Sequence, residues 1–364
     1  MKAVITCGGT GGHIVPALAI ADIIKENAPR AEILFVGGTH GMEGELVGNA
    51  GYEIRLLEVR GFSRKFTPTN LKVLFQTGKA VKRAQKILTD FSPDIVIGTG
   101  GYACYPTLRA ALEMGIPAAV HESNAAPGLA VRMLARRLDR VWLNFESGGD
   151  RLASAARVLT VGNPLPRGYA LPVPISLPTG MHRFLLSFGG SLGATAINRA
   201  VLALMEEERG KCEIFHLHAT GKKEYEAMYA GFCERNLQQS PHLSLVPFIT
   251  PMPRYMAAAD LVIFRAGAMS ISELAALGKP CVLVPSPNVT GNHQYENAKA
   301  LAEKGAAVLL EEKDLAVLST LVPALLADKE RLLQMSAAIR AFHRSDANAK
   351  IWKDILTLTK KSGF

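Results

Sequence analysis

A strand, a glycine-rich turn and a helix follow one another at two places in this chain, about 180 residues apart. This repeated unit constrains the fold more than any other feature. The first copy reads Val4-Ile5-Thr6-Cys7-Gly8-Gly9-Thr10-Gly11-Gly12-His13, and the second reads Leu185-Leu186-Ser187-Phe188-Gly189-Gly190-Ser191-Leu192-Gly193-Ala194. Glycine lets the backbone turn sharply and lets a ligand approach closely, and the N–H groups that begin the next helix favour an anion. A single copy is what any doubly wound sheet needs where its first strand becomes its first helix. Two copies, with Thr10 and Ser191 at matching places, suggest two nucleotide-fold halves that face a shared cleft and bind phosphate or sugar.

The pattern along the chain agrees with two halves. Short apolar, β-branched runs alternate with helical stretches from Val4–Thr6 to Val158–Val161, and again from Phe184–Ser187 to Ala307–Leu310. Strands separated by helices imply parallel sheets with crossover connections. A length of 364 residues exceeds one ordinary core and suits two domains. The proline-rich stretch Gly162-Asn163-Pro164-Leu165-Pro166 and Leu171-Pro172-Val173-Pro174 marks the hinge. The expected domains are 1–162 and 163–338. The tail from Asp328 is helical by pattern, and its last part, 339–364, is expected to cross back onto the first half.

Bulk properties exclude several classes. Hydrophobic residues make up 48% and charged residues 20%, a globular composition. No apolar run reaches the ~18 residues of a membrane span, and the short apolar stretch of residues 1–7, with one lysine, is too little for a signal peptide. The five cysteines are scattered, without a C-x-x-C pair, as expected in a reducing cytoplasm. Cys212 with His216 and His218 is the nearest approach to a metal-ligand set, and on a strand it reads as packing.

The formal charge of +9 is unevenly placed. Between Arg60 and Lys86 there are eight basic residues (Arg60, Arg64, Lys65, Lys72, Lys79, Lys82, Arg83, Lys86) and no acid. Leu71, Leu74, Phe75 and Val81 can share one helical face among them. This is the pattern of a surface that lies on anionic lipid, and also that of a solvated helix packed on its own core. With aromatics at only 7% and no recognisable binding motif, nucleic acid is not expected as a partner.

The turns lack the marks of the commonest nucleotide sites. An NAD fold would show G-x-G-x-x-G and an acid ending its second strand, whereas strand two here ends in Gly37-Gly38. Neither turn contains the Gly-Lys-Ser/Thr of an ATP-binding loop. The second half carries the parts for a nucleoside diphosphate instead. Gly189-Gly190-Ser191 is expected to open a helix and present N–H groups to a phosphate. Arg265-Ala266-Gly267-Ala268-Met269-Ser270-Ile271-Ser272-Glu273 repeats the device with an acid one turn in, which suits either helix capping or a ribose diol. The polar run Asn292-His293-Gln294-Tyr295-Glu296-Asn297-Ala298 follows and suits sugar hydroxyls.

Taken together, these stretches resemble the bacterial UDP-N-acetylglucosamine:N-acetylmuramyl-(pentapeptide) pyrophosphoryl-undecaprenol N-acetylglucosaminyltransferase family, the glycosyltransferases of the peptidoglycan lipid intermediate. The resemblance rests on Gly8 to Ala17, Gly100-Gly101-Tyr102, His121-Glu122-Ser123-Asn124-Ala125-Ala126-Pro127-Gly128, Gly162-Asn163-Pro164, Gly189 to Ala194, Arg265 to Glu273, and His293-Gln294 with Asn297-Ala298, in the family's order across both halves. It implies an α/β fold of the GT-B type, two Rossmann-like domains with parallel sheets facing a central cleft. The C-terminal domain would hold UDP-GlcNAc, and the N-terminal one the undecaprenyl-diphosphate-MurNAc-peptide acceptor. No cofactor is implied. The enzyme would work at the cytoplasmic face of the membrane, held peripherally through residues 60–86.

Carried over by motif, Ser191 would meet the donor phosphate, the Ile249 backbone the uracil and Glu273 the ribose. Ala268, Met269, Ser270, Ile271 and Ser272 would line the diphosphate-sugar region, and Gln294 would hold the sugar. Thr10, Gly11, Gly12 and Asn124 would face sugar and acceptor. Leu192 and Ser123 stand where the family has glutamine, and Pro166 separates Leu165 from Arg167 where the family places arginine directly after an apolar residue. Transfer with inversion needs one base and support for the departing diphosphate. His13 is the candidate base, a position that also suits substrate binding or bracing of the loop, and Glu122 is the alternate. No D-x-D sequence offers carboxylates for a metal, so helix N-termini are expected to stabilise the leaving group. A glycolipid glycosyltransferase, a UDP-GlcNAc 2-epimerase of similar fold and a non-catalytic nucleotide-sugar sensor are the rival readings.

Overall fold

The computed structural model describes residues 1–9, 11–59, 68–152, 157–169, 172–190, 193–289 and 292–360, with the side chains of 68–75 and of residue 167 outside that description. Two compact units divide the chain: Met1–Pro166 with Arg344–Phe364, and Arg167–His343. These divisions fall a few residues beyond the boundaries at 163 and 339 expected from the sequence.

In the first unit, β1 (Lys2–Thr6), β2 (Glu32–Gly38), β3 (Glu53–Leu57), β4 (Ile95–Gly98), β5 (Ala118–Glu122), β6 (Arg140–Leu143) and β7 (Val158–Thr160) form one sheet in the order β3-β2-β1-β4-β5-β6-β7. Every pairing is parallel, with Thr6 opposite Val36 on one side and Gly98 on the other. Helices cover both faces, so the central strands β1, β4 and β5 are almost wholly buried, and alternation only decides which layer each side chain joins. Ala3 and Ile5 pack with the helices Gly11–Asn27 and Ala347–Lys360, while Val4 packs with Ala80, Val81 and Ala84 from the helix Pro68–Phe91.

The second unit repeats the scheme. β8 (Arg183–Phe188), β9 (Ile214–Ala219), β10 (Leu243–Val246), β11 (Leu261–Phe264), β12 (Cys281–Leu283) and β13 (Val308–Leu309) pair in parallel in the order β10-β9-β8-β11-β12-β13. In both sheets the chain winds one way from the first strand and then returns to its other side. The strand order therefore reverses between β1 and β4, and between β8 and β11. Open parallel sheets bind ligands beyond the carboxyl ends of the strands at such reversals. Both glycine turns identified in the sequence leave the first strand at these points.

The last helix belongs to the first unit by its chemistry. Asp354 accepts two hydrogen bonds from Arg140 (Nε 2.7 Å, Nη2 3.0 Å) and one from the Trp142 indole (2.7 Å), both residues of β6. Ile351, Ile355 and Leu358 complete the core around Ile14, Ile20 and Ile24.

The helix Pro68–Phe91 corrects one expectation. Val81, assigned to a lipid-facing apolar stripe, lies in the core with Ala80, Ala84, Ile87 and Leu88. An apolar stripe at helical spacing serves a core and a bilayer equally well, and here, from residue 76 onward, the core has it. Lys79, Lys82, Arg83 and Lys86 are exposed on the opposite face. Arg60, Arg64 and Lys65 lie outside the described residues, as do the side chains of Leu71, Lys72, Leu74 and Phe75.

Candidate active site

In the N-terminal unit, β1 and β4 end side by side and their turns interlock. Gly100 and Gly101 both have positive φ (100° and 88°). A Cβ on Gly100 would lie 2.6 Å from His13 Nδ1, and one on Gly101 would collide with the Gly8 carbonyl. Glycine at these positions thus makes room for the His13 ring and for the first turn. His13 is half-buried and its Nδ1 sits 3.0 Å from the Thr99 carbonyl, which can only accept. The proton is therefore on Nδ1, and in the neutral form of the ring the lone pair is on Nε2. The Thr99 hydroxyl closes the loop by donating to the His13 carbonyl at 2.7 Å.

Glu43 was not anticipated from the sequence. Its carboxylate, 1% exposed, accepts the Gly9 N–H at 3.1 Å and the Gly38 N–H at 2.7 Å, joining the turns after β1 and β2. The Gly9 donor is thus engaged by the chain's own acid. A buried carboxylate beside the first turn disfavours a second anion there and leaves it better suited to hydroxyl groups. Gly9, Gly38, Gly41, Glu43, Val59 and Tyr102 border an open pocket of about 260 Å³. Gly11 and Gly12 begin the helix at this turn, and Thr10 lies outside the described residues.

The motif His121 to Gly128 forms a loop fastened by Glu122. One carboxylate oxygen accepts from the Asn124 backbone and side chain, both at 3.0 Å, and the other from Gly128 N–H at 2.8 Å. Both oxygens of the alternate base are therefore committed to loop donors. His121, fully buried, donates from Nε2 to the Gly162 carbonyl at 2.9 Å, and burial lowers its pKa to about 4. Ser123 is buried with its hydroxyl 3.4 Å from His121 Nδ1, so a small side chain fits where the family has glutamine.

In the C-terminal unit, the turn after β8 is longer than the sequence suggested. The helix begins at Thr195, not at Ser191, with Ala194 as its extended N-cap and Gly193 N–H on the Gly190 carbonyl at 3.0 Å. Ser191 and Leu192 lie outside the described residues. The turn after β11 does lead straight into its helix: Gly267 is an extended N-cap and Ala268–Leu277 follows. Ala268, Met269, Ile271 and Ser272 are buried, and the Ser272 hydroxyl bonds back to the Ala268 carbonyl at 3.2 Å. What this helix can present is the row of N–H groups in its first turn, beside half-buried Ser270.

Glu273 is half-buried on the same helix, and burial raises its pKa to about 7. Tyr169, a residue the sequence analysis passed over, hydrogen-bonds this carboxyl and favours its ionised form. Ile249 is buried immediately before the cis Thr250-Pro251 bond. Gln294 lies in the first turn of the helix His293–Ala302, and its side-chain oxygen accepts the Ser286 N–H at 2.8 Å, which ties it to the loop after β12. The side chain of Arg167 lies outside the description, so its match to the family arginine stays an expectation.

Two reversal points, each with a glycine turn and polar residues at the carboxyl ends of its strands, are the arrangement of a nucleotide-sugar enzyme. Residues 3–143 match the glycosyltransferase family 28 N-terminal domain, and residues 184–351 match the glycosyltransferase family 28 C-terminal domain. A UDP-N-acetylglucosamine–N-acetylmuramyl-(pentapeptide) pyrophosphoryl-undecaprenol N-acetylglucosamine transferase of Acetivibrio thermocellus is 39% identical over 369 residues, spanning 99% of both chains. The chain belongs to this transferase family. A relative of the same name from Listeria welshimeri is also 39% identical, over 99% of this chain and 100% of its own. Among solved structures, MurG of Acinetobacter baumannii superposes with a TM-score of 0.75 at 28% identity, covering 98% of this chain and 100% of that one. A UDP-GlcNAc 2-epimerase of Neisseria meningitidis superposes at 0.68 with 13% identity, over 98% of this chain and 100% of its own, a likeness of fold alone. The fold of the transferase is thus the GT-B type, and its full-length kinship is with glycosyltransferases rather than epimerases.

Proposed function

We propose that this transferase moves N-acetylglucosamine from UDP-GlcNAc to the 4-hydroxyl of undecaprenyl-diphosphate-linked MurNAc-peptide, with inversion, making the β-1,4-linked lipid disaccharide of peptidoglycan synthesis. The observation that carries this reading is the match to named transferases along the whole length of the chain. In the reaction the acceptor oxygen bonds to C1 of the sugar, the bond from C1 to the diphosphate breaks, and the hydroxyl proton leaves with a base. His13 is that base: the Thr99 carbonyl holds its proton on Nδ1 and directs the basic electron pair to Nε2. Glu122 holds Asn124 and Gly128 in the acceptor loop rather than taking the proton. The departing diphosphate is stabilised by the N–H groups at the starts of the helices that follow β8 and β11, the second capped by Gly267. Labelled sugar should enter an organic-extractable lipid only when both substrates are present; the same label appearing in a manno epimer with UDP-GlcNAc alone would favour the epimerase reading.

Glu273 accepts the ribose hydroxyls and must be ionised to do so. With its pKa raised to about 7, the protonated form grows as pH falls, so uridine affinity should rise between about pH 6 and pH 8. Uridine serves as the probe because it carries no titrating phosphate. Glu273→Gln should flatten this profile and weaken uridine and UDP alike by about tenfold at pH 8, the worth of a hydrogen bond to a charged acceptor. A pH-dependent profile that survives in the variant would remove Glu273 from the ribose site.

The acceptor's lipid tail requires contact with the bilayer. No helix among the described residues is long and apolar enough to cross a membrane. The exposed lysines of the helix Pro68–Phe91 supply a peripheral contact with the cytoplasmic leaflet, each worth about 1 kcal/mol near an anionic surface and screened over about 8 Å. The protein should co-sediment with phosphatidylglycerol vesicles at low salt and dissociate at high salt. Changing Lys72, Lys79, Lys82 and Lys86 to glutamate should abolish most of that binding; unchanged sedimentation would make the helix a solvated face only.

A further inference from the structure

A ladder of buried polar side chains runs beneath the turn after β8. Ser187, His216 and His218 are all fully buried, the last two on β9 opposite Leu185 and Ser187 of β8. The Ser187 hydroxyl lies 2.8 Å from His216 Nε2 and 2.8 Å from His218 Nδ1. His218 Nε2 lies 3.1 Å from Asn198 Oδ1, and Asn198 Nδ2 donates to the Thr220 carbonyl at 3.0 Å and to Glu224 Oε2 at 2.7 Å. At the other end, His216 Nδ1 lies 2.6 Å from Glu208 Oε2.

The protons of the ladder can be assigned from its Asn198 end. Asn198 uses its amide hydrogens on Thr220 and Glu224, so its oxygen must accept, and His218 carries its proton on Nε2. Burial, with the neighbouring His216, lowers the His218 pKa to about 3, so the ring is neutral; with its one proton on Nε2, Nδ1 accepts from the Ser187 hydroxyl, although it also lies 3.1 Å from the Ser187 carbonyl. Ser187 therefore accepts from His216 Nε2–H. At the far end one proton lies between His216 Nδ1 and Glu208 Oε2, and at the near end the orientation of Asn198 is set by residues on two strands.

Asn198 in turn governs the glycine turn. A Cβ on Gly193, whose φ is 78°, would collide with the Thr220 carbonyl, the same oxygen that Asn198 holds. Thr195, the first residue of the helix, donates to Glu224, the second acceptor of Asn198. The turn is packed on a carbonyl whose place the ladder fixes. We propose that Ser187, His218 and Asn198 are positioning residues for the donor diphosphate, holding Gly193 and Thr195, where the glycine turn passes into its helix, in the geometry that receives it. The proposal rests on the reading that this turn meets the diphosphate.

Calorimetric titration with uridine and with UDP separates this role from simple stability. Asn198→Asp keeps the acceptor for His218 but loses both donated bonds, and Ser187→Ala removes the centre of the ladder. Each should weaken UDP by about tenfold while uridine stays within about twofold, and Ser187→Thr, which restores a hydroxyl, should recover UDP affinity. Retained uridine binding reports that the variant is folded. If Ser187→Ala does not fold, Asn198→Asp decides by the same comparison. Parallel weakening of both ligands, or no weakening of UDP, would overturn the proposal. Wild-type protein that binds uridine as tightly as UDP would instead refute the diphosphate reading itself.

Discussion

Replacing His13 with alanine should lower turnover by about 100- to 10,000-fold and leave UDP affinity within about twofold of wild type. The split follows from where the residue sits. His13 lies in the N-terminal unit, in the first turn of the helix after β1, while the residues proposed to read uracil, ribose and diphosphate belong to the other unit. The ring is held through Nδ1 by the Thr99 carbonyl, in space that only a glycine at position 100 leaves open. Such fastening is what a base needs, because it sets both the tautomer and the direction of the electron pair. A side chain that only braced the loop would lose far less on truncation. Steady-state rates with saturating acceptor, alongside calorimetric UDP titration, make the comparison. Turnover within about threefold of wild type would take the proton-transfer role from His13.

Asp354→Ala should destabilise the N-terminal unit by about 3 kcal/mol or more, although the residue is far along the chain from both glycine turns. The carboxylate is the shared acceptor for the Arg140 guanidinium and the Trp142 indole, and its side chain is only 10% exposed. Its removal leaves a partly buried cation and a buried N–H without their acceptor, which costs more than the loss of a surface ion pair. Asp354→Asn retains one acceptor and should lose less. Denaturant unfolding followed at Trp142 and Trp352 reports on this unit, since both tryptophans lie in it. A midpoint unchanged by Asp354→Ala would mean that the last helix is held by its apolar face alone.

The sequence disclosed the parts of this molecule that depend on local chemistry. Strands appear as β-branched runs, and the reversal points appear as glycine turns because only glycine can occupy positions such as Gly101 and Gly193. Glu273 and Gln294 were legible through the motif in which they stand, as expectations that binding measurements must decide. What stayed hidden depends on partners distant in the chain. Glu43 is an ordinary acid until β2 brings it to Gly9, and Thr99 acquires meaning only when its carbonyl meets His13. Tyr169 lies in the proline-rich stretch read as a hinge, yet its phenol reaches Glu273. His216 and His218 were read as packing, and only the register of β8 against β9 shows them meeting across Ser187. Val81 failed for a different reason: helical spacing specifies an apolar face without saying what covers it.

The most direct measurement is the configuration at the anomeric carbon of the product. Incubating the protein with UDP-GlcNAc and an isoprenyl-diphosphate MurNAc-peptide, then reading the proton coupling at C1 of the transferred sugar, reports how the bond was made. A single displacement assisted by one base predicts a β-linked disaccharide lipid formed only when both substrates are present. An α-linked product, or conversion of UDP-GlcNAc to its manno epimer without any transfer, would contradict it.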